Sequence, residues 1–129
     1  MKKPKQIKKE KTILLIDSNK IHRLLLEKIL KRTNYKLIFA NSKEEVYNYC
    51  KTNTDFNLII IEPLLPYTDG YVLMKHIKEI RKEIPIIALT VCALLHEKEK
   101  CFKYGCDAYL SKPFVAKNLI QILEQKLKN

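Results

Sequence analysis

The chain has 129 residues, a formal net charge of +11, 47% hydrophobic residues and 30% charged residues. These values fit one globular domain long enough to bury a core, and they argue against a disordered or fibrous chain. No apolar run approaches the roughly eighteen residues of a membrane span, and no long apolar stretch or cleavage pattern follows the basic N-terminus, so a soluble, cytoplasmic protein is expected.

Much of the charge sits at the start. Residues 1–11 hold six lysines against Glu10, so five of the eleven net positive charges lie there. Such a block reads as a flexible arm or linker, with the folded domain over 12–129. It could steer the chain toward nucleic acid or an anionic surface, but no aromatic residue interleaves the lysines to stack on bases.

Beyond the arm, strand and helix patterns alternate five times. Thr12–Ile16 is the first strand. A helix from about Lys20 to Arg32 presents Ile21, Leu24, Leu25, Leu26, Ile29 and Leu30 as a broad apolar face. Tyr35–Ala40 reads as a second strand. Asn41-Ser42 can cap a second helix, with Glu45 completing a capping box and Val46, Tyr49 and Cys50 inward. Leu58–Ile61 is the third strand, and Glu62 to Gly70 is a loop punctuated by Pro63, Pro66 and Gly70. The third helix runs from about Gly70 to Arg81, with Leu73, Met74, Ile77 and Ile80 inward. Pro85 opens a fourth strand. A highly charged helix, about Leu95 to Tyr104, stops at Gly105. Ala108–Leu110 is a short fifth strand. Lys112-Pro113 leads into a last helix with Ala116, Leu119, Ile120, Leu123 and Leu127 on one face. Five alternations give an α/β three-layer sandwich around a parallel sheet.

The four cysteines, Cys50, Cys92, Cys101 and Cys106, form no C-x-x-C pair, and with His96 they match no zinc knuckle or ribbon spacing. They read as small apolar packers. His22, His76 and His96 lie on helices among charged neighbours and read as solvent-facing. Neither G-x-G-x-x-G nor G-K-[ST] occurs, which leaves a nucleotide site without a signal.

Four apolar runs each end in a polar residue: Ile13–Ile16 before Asp17, Leu58–Ile61 before Glu62, Ile86–Leu89 before Thr90, and Ala108–Ser111 before Lys112. Continuous apolar runs mark parallel strands buried on both faces, and in an open parallel sheet the functional crevice lies at the strands' carboxyl ends. One site built from two acids, a hydroxyl and an ammonium is the expectation.

The pieces Ile13-Leu14-Leu15-Ile16-Asp17-Ser18-Asn19, Pro66 to Gly70, Pro85 to Thr90, Gly105-Cys106-Asp107-Ala108-Tyr109 and Leu110-Ser111-Lys112-Pro113-Phe114, in that order, resemble the receiver domain of response regulators over about residues 12–128. The resemblance implies a flavodoxin-like sheet of strand order 2-1-3-4-5 and an aspartyl-phosphate chemistry at the third strand's end. It implies Lys112 as the phosphoryl-binding lysine, Thr90 as the switch hydroxyl and Tyr109 as the switch aromatic. It implies a Mg²⁺ site at Asp17, the acceptor position and Leu64, a Lys112-Pro113 bond that is often cis, and a partner face on the fourth helix, fifth strand and fifth helix. Three positions depart from it. Glu62 stands at the phosphoacceptor position, Ser18 replaces the second metal-binding acid, and Val91 follows the threonine where a smaller residue is usual, which narrows access to the acceptor.

Glutamate carries its carboxylate about 1.5 Å further than aspartate, and misplacements of about 1 Å cost roughly a hundredfold in rate. Loss of an acid at Ser18 weakens a hard-cation site. The expectation is a degenerate receiver, not an enzyme beyond residual phosphotransfer, with no cofactor and at most weak Mg²⁺ binding. Partners would be a histidine kinase, a phosphotransfer protein or a downstream regulator, or a second copy of the chain. A still-phosphorylatable receiver and a nucleic-acid or anionic-surface role for the arm are the alternatives. If the Lys112 ammonium pairs with Glu62, the site closes without metal and crudely imitates a phosphorylated state.

Overall fold

A computed structural model describes residues 10–52 and 55–128; the arm expected over 1–11 therefore lies outside them except for Glu10 and Lys11. The elements in chain order are β1 (Thr12–Ile16), α1 (Lys20–Leu30), β2 (Lys36–Phe39), α2 (Lys43–Lys51), β3 (Leu58–Ile61), α3 (Gly70–Ile80), β4 (Ile86–Thr90), α4 (Leu95–Lys103), β5 (Ala108–Ser111) and α5 (Ala116–Lys126). The five strands form one parallel sheet in the order β2-β1-β3-β4-β5. The expected α/β sandwich and strand order are observed. Lys11 already belongs to the fold, because its carbonyl accepts from the Lys36 amide at 2.8 Å.

The apolar runs form strands because both faces are covered. β1, β3 and β4 are buried throughout apart from Thr12. Alternate side chains feed two core layers: Leu14, Ile16, Ile59, Ile61 and Ile86 pack with α2, α3 and α4, while Ile13, Leu15, Leu58, Ile60 and Leu89 pack with α1 and α5. A parallel register, with Ile16 beside Ile61 and Ile61 beside Ala88, ends β1 and β3 level, while β4 runs two residues further to Thr90, so Asp17, Glu62 and Thr90 lie at one edge of the sheet.

The loops around that edge are fixed by short-range chemistry. The Asn19 side chain caps α1 by accepting from the His22 amide at 3.1 Å, and Asp69 Oδ1 caps α3 by accepting from Tyr71 and Val72. Gly70 abuts the β3–α3 loop so closely that a Cβ there would lie 2.2 Å from the Pro63 carbonyl oxygen. Ser42 caps α2 through the Glu45 amide, and the Glu45 carboxylate reaches back to the Asn41 amide, one residue earlier than the expected reciprocal bond. At the end of α4, the amides of Gly105 and Cys106 bond back to the carbonyls of Phe102 and Cys101, and Gly105 takes φ 118°, so the helix stops where the glycine allows a left-handed residue.

Two apolar faces are narrower than the sequence implies. On α1 only Leu26, Ile29 and Leu30 are buried; Ile21, Leu24 and Leu25 are exposed, because the helix packs on the sheet through one stripe and the rest faces outward. On α3, Ile80 is exposed and Tyr71 takes an inward place beside Leu73, Met74 and Ile77. Cys50, Cys101 and Cys106 are buried in the first layer as expected, and Cys92 is half-buried.

Candidate functional site

Asp17, Glu62 and Thr90 are the buried polar or charged residues among those described, and they follow or end three adjacent strands. Asp17 is held from several sides. Its Oδ1 accepts from the Asn19 amide at 2.9 Å, and its carbonyl accepts from Arg23 Nε at 2.7 Å. The Arg23 guanidinium also lies 5.1 Å over the Phe39 ring and bonds Asn41, which ties α1 to the ends of β1 and β2. The Ser18 side chain beside it is exposed.

Glu62 is anchored by backbone. Its Oε2 accepts from the Leu64 amide at 3.1 Å and its Oε1 from the Val91 amide at 3.1 Å. The first bond closes the β3–α3 loop on itself; the second ties that loop to the end of β4. Leu64 enters the site through its amide, and its side chain is exposed. Val91 likewise contributes its amide, while its side chain is 53% exposed along an apolar cleft, so the narrowing expected from its bulk falls on the cleft wall.

Lys112 arrives from the end of β5, where its amide bonds the Thr90 carbonyl at 2.7 Å and a cis peptide bond precedes Pro113. Its ammonium is 2.8 Å from Asp17 Oδ2 and 3.5 Å from Glu62 Oε1, with the Lys112 side chain 8% exposed. The pairing expected with Glu62 is present but is the longer of the two; Asp17 is the closer partner, since the two amides hold the Glu62 carboxylate back toward the loops.

His22 is the residue that sequence reasoning missed. Its Nδ1 lies 2.7 Å from Lys112 Nζ and 3.1 Å from Asp17 Oδ2, so it is a member of the site and not a solvent-facing helix residue. The available signal was its position in the first turn of α1, five residues past Asp17, which turns it back over the strand ends. His76 and His96 are exposed as expected; His76 bonds the Tyr47 hydroxyl at 2.8 Å.

Thr90 is fully buried, and its Oγ1 accepts from the Cys92 amide at 3.2 Å. Tyr109 packs half-buried against the first core layer, its hydroxyl donates to the Cys92 carbonyl, and the Lys98 ammonium lies 5.9 Å over its ring. Burial, foremost, pushes the Tyr109 phenol above its ordinary pKa, with Cys101, Cys92, Glu62 and Glu97 adding to it. The Tyr71 phenol is raised further, by burial and then by its hydrogen bond to Glu97, which links α3 to α4.

Strand ends thus bring the two carboxylates and the ammonium together at the carboxyl edge of a doubly wound sheet, with the Thr90 hydroxyl buried at the end of β4 and bonded to the Cys92 amide instead. The profile of the family described as the response regulator receiver domain matches residues 13–124, and the chain belongs to that family. The sensor histidine kinase RcsC of Salmonella typhi is 32% identical over 111 residues, 86% of this chain but 12% of that protein, so the chain spans a small part of the length of this relative. The polar-differentiation response regulator DivK of Brucella ovis is 26% identical over 119 residues, 91% of this chain and 96% of DivK. Among solved structures, a CheY-like receiver domain protein from Methanospirillum hungatei JF-1 superposes with a TM-score of 0.83 at 26% identity, covering 92% of this chain and 94% of that one. The receiver domain of the sensor histidine kinase PA1611 from Pseudomonas aeruginosa PAO1, solved with a magnesium ion in its active-site cleft, gives 0.81 at 27% identity, with coverage of 94% and 100%. No helix among the described residues is long and apolar enough to cross a membrane.

Proposed function

We propose that this receiver domain works in two-component signalling by protein–protein interaction, with its phosphoryl chemistry lost or impaired. One observation carries the reading: both carboxylate oxygens of Glu62 are engaged by the amides of Leu64 and Val91, with the Lys112 ammonium 3.5 Å from one of them. Two amides and an ammonium converging on one point form a cradle for an oxyanion. Glu62, longer by a methylene than aspartate, fills that cradle with its own carboxylate. An attacking oxygen needs freedom to approach phosphorus, and the incoming phosphoryl oxygens need the donors that the carboxylate already holds.

The same contacts bear on the magnesium that the family resemblance implies. Asp17 offers one oxygen to Asn19 and the other to Lys112, and Glu62 is held as described. Ser18, where the family resemblance implies a second acid beside the Asp17, Glu62 and Leu64 set, is exposed and supplies only a hydroxyl. Magnesium requires several oxygen ligands in near-ideal geometry and is usually held by one or two carboxylates. The residues present fit a hard cation poorly, because an internal ammonium lies against the carboxylate that would bind it. The PA1611 receiver, by contrast, holds magnesium in its cleft.

The bond from Tyr109 to the Cys92 carbonyl and the burial of Thr90 favour a fixed inward arrangement of the switch residues. On this reading the surface of α4, β5 and α5 is held in one state and recognises a histidine kinase, a phosphotransfer protein or a downstream regulator in the cytoplasm. The test is intact mass after incubation with acetyl phosphate, with and without Mg²⁺. An unchanged mass is expected, and a gain of one phosphoryl group by the native chain would overturn the proposal.

A further inference from the structure

Lys112 is almost fully buried, and a buried ammonium is costly unless all three of its N–H donors find acceptors. The described residues supply three at its nitrogen: His22 Nδ1 at 2.7 Å, Asp17 Oδ2 at 2.8 Å and Glu62 Oε1 at 3.5 Å. The shortest contact is to the histidine. His22 Nδ1 also lies 3.1 Å from Asp17 Oδ2. Because an ammonium has no lone pair, the shorter 2.7 Å contact assigns Nδ1 as an acceptor and the imidazole proton to Nε2. The ammonium donates to both Nδ1 and Asp17 Oδ2 and so bridges the two acceptors. The His22 backbone is fixed in the first turn of α1 by the Asn19 cap, and its ring lines a cleft of about 320 Å³ together with Leu25, Leu26 and Phe114.

We infer that His22 is a positioning residue: its Nδ1 completes the acceptor set of Lys112 and holds the ammonium against Asp17, where it takes the place of a divalent cation. The inference rests on the metal-free reading of the site and adds the residue that keeps the site closed. The electrostatics agree. Ser18 removes one negative charge from the crevice, and two carboxylates facing one cation leave a net charge of −1 that a neutral imidazole does not alter. A third acceptor without charge satisfies the ammonium and leaves that balance intact, whereas an acid at the same place would attract a second cation.

The experiment measures the acylation of Lys112 by acetic anhydride in native, His22→Ala and His22→Asn chains, by peptide mapping. Lys78 serves as an internal reference, because it is tied to Asp107 and the Ile84 carbonyl far from the crevice. His22→Ala should raise the Lys112-to-Lys78 ratio by about two- to tenfold, the range that loss of one hydrogen bond represents. His22→Asn, whose amide oxygen can stand near the position of Nδ1, should return the ratio toward native. An unchanged ratio in His22→Ala, or an equal rise in both variants, would overturn the inference. Unfolding is separable, since it raises both lysines together. The acetyl phosphate assay reports independently on the phosphoacceptor, so either proposal can fail while the other stands.

Discussion

Lys112 Nζ and Asp17 Oδ2 lie 2.8 Å apart, although 95 residues of chain separate them. The pair closes the crevice across β1, β3, β4 and β5. Both side chains are less than a tenth exposed, so the ion pair is largely shielded from solvent screening.

Removing one partner should therefore be costly. Lys112→Met would leave two buried carboxylates and an imidazole with no cation, and a loss of about 3–5 kcal/mol is expected. Urea unfolding measures it. A loss below about 1 kcal/mol would mean that the ammonium is solvated in solution.

The two departures at the site act on one step, so they should be repaired together. Glu62→Asp alone should gain little phosphorylation, because Ser18 still supplies no carboxylate. Glu62→Asp with Ser18→Asp should bind Mg²⁺ and gain phosphoryl mass from acetyl phosphate. If the single variant became fully phosphorylatable, the role given to Ser18 would be wrong.

Tyr109→Phe removes the bond to the Cys92 carbonyl and leaves the ring. The expected cost is about 0.5–1.5 kcal/mol, the net worth of one hydrogen bond. The local consequence should be larger than the global one. Amide exchange over 92–95 should quicken, while exchange in β1 and β3 stays slow. Uniform acceleration, or none, would argue against a switch held by this bond.

Gly70→Ala places a methyl group against the Pro63 backbone, which cannot step aside as a side chain can. A loss of about 1–3 kcal/mol is expected from overpacking, by thermal or urea unfolding. A neutral outcome would show that the β3–α3 loop yields easily.

Alkaline pH should unfold the chain through its tyrosines. Burial first of all raises the phenols of Tyr35, Tyr47, Tyr67, Tyr71 and Tyr109 above the ordinary value. The folded state thus favours their protonated form. Their contribution is fully present below about pH 10, the unfolded value, and is lost as pH rises through the folded values. Tyrosinate absorbance should lag free tyrosine and rise with unfolding; simple titration of all seven tyrosines near the free value would contradict this.

The alternation of apolar runs with helical patterns was enough for the parallel α/β class, whereas the strand order 2-1-3-4-5 followed only from the receiver-domain resemblance. Four continuous apolar runs separated by helical patterns admit few arrangements other than a doubly wound parallel sheet, and residues at the carboxyl ends of its strands share one edge. Asp17, Glu62, Thr90 and Lys112 were legible for that reason. The tertiary structure alone decided which pairs form. Chain order says nothing of whether Lys112 chooses Asp17 or Glu62, because that choice depends on the amides of Leu64 and Val91 drawing Glu62 away. Nor could periodicity separate the buried half of α1 from Ile21, Leu24 and Leu25, since the period marks an apolar face but not how much of it the sheet can cover. His22 was hidden for a related reason: among charged neighbours a helix histidine looks exposed, and only the entry angle of α1, fixed by Asn19 and Arg23, turns it over the ammonium.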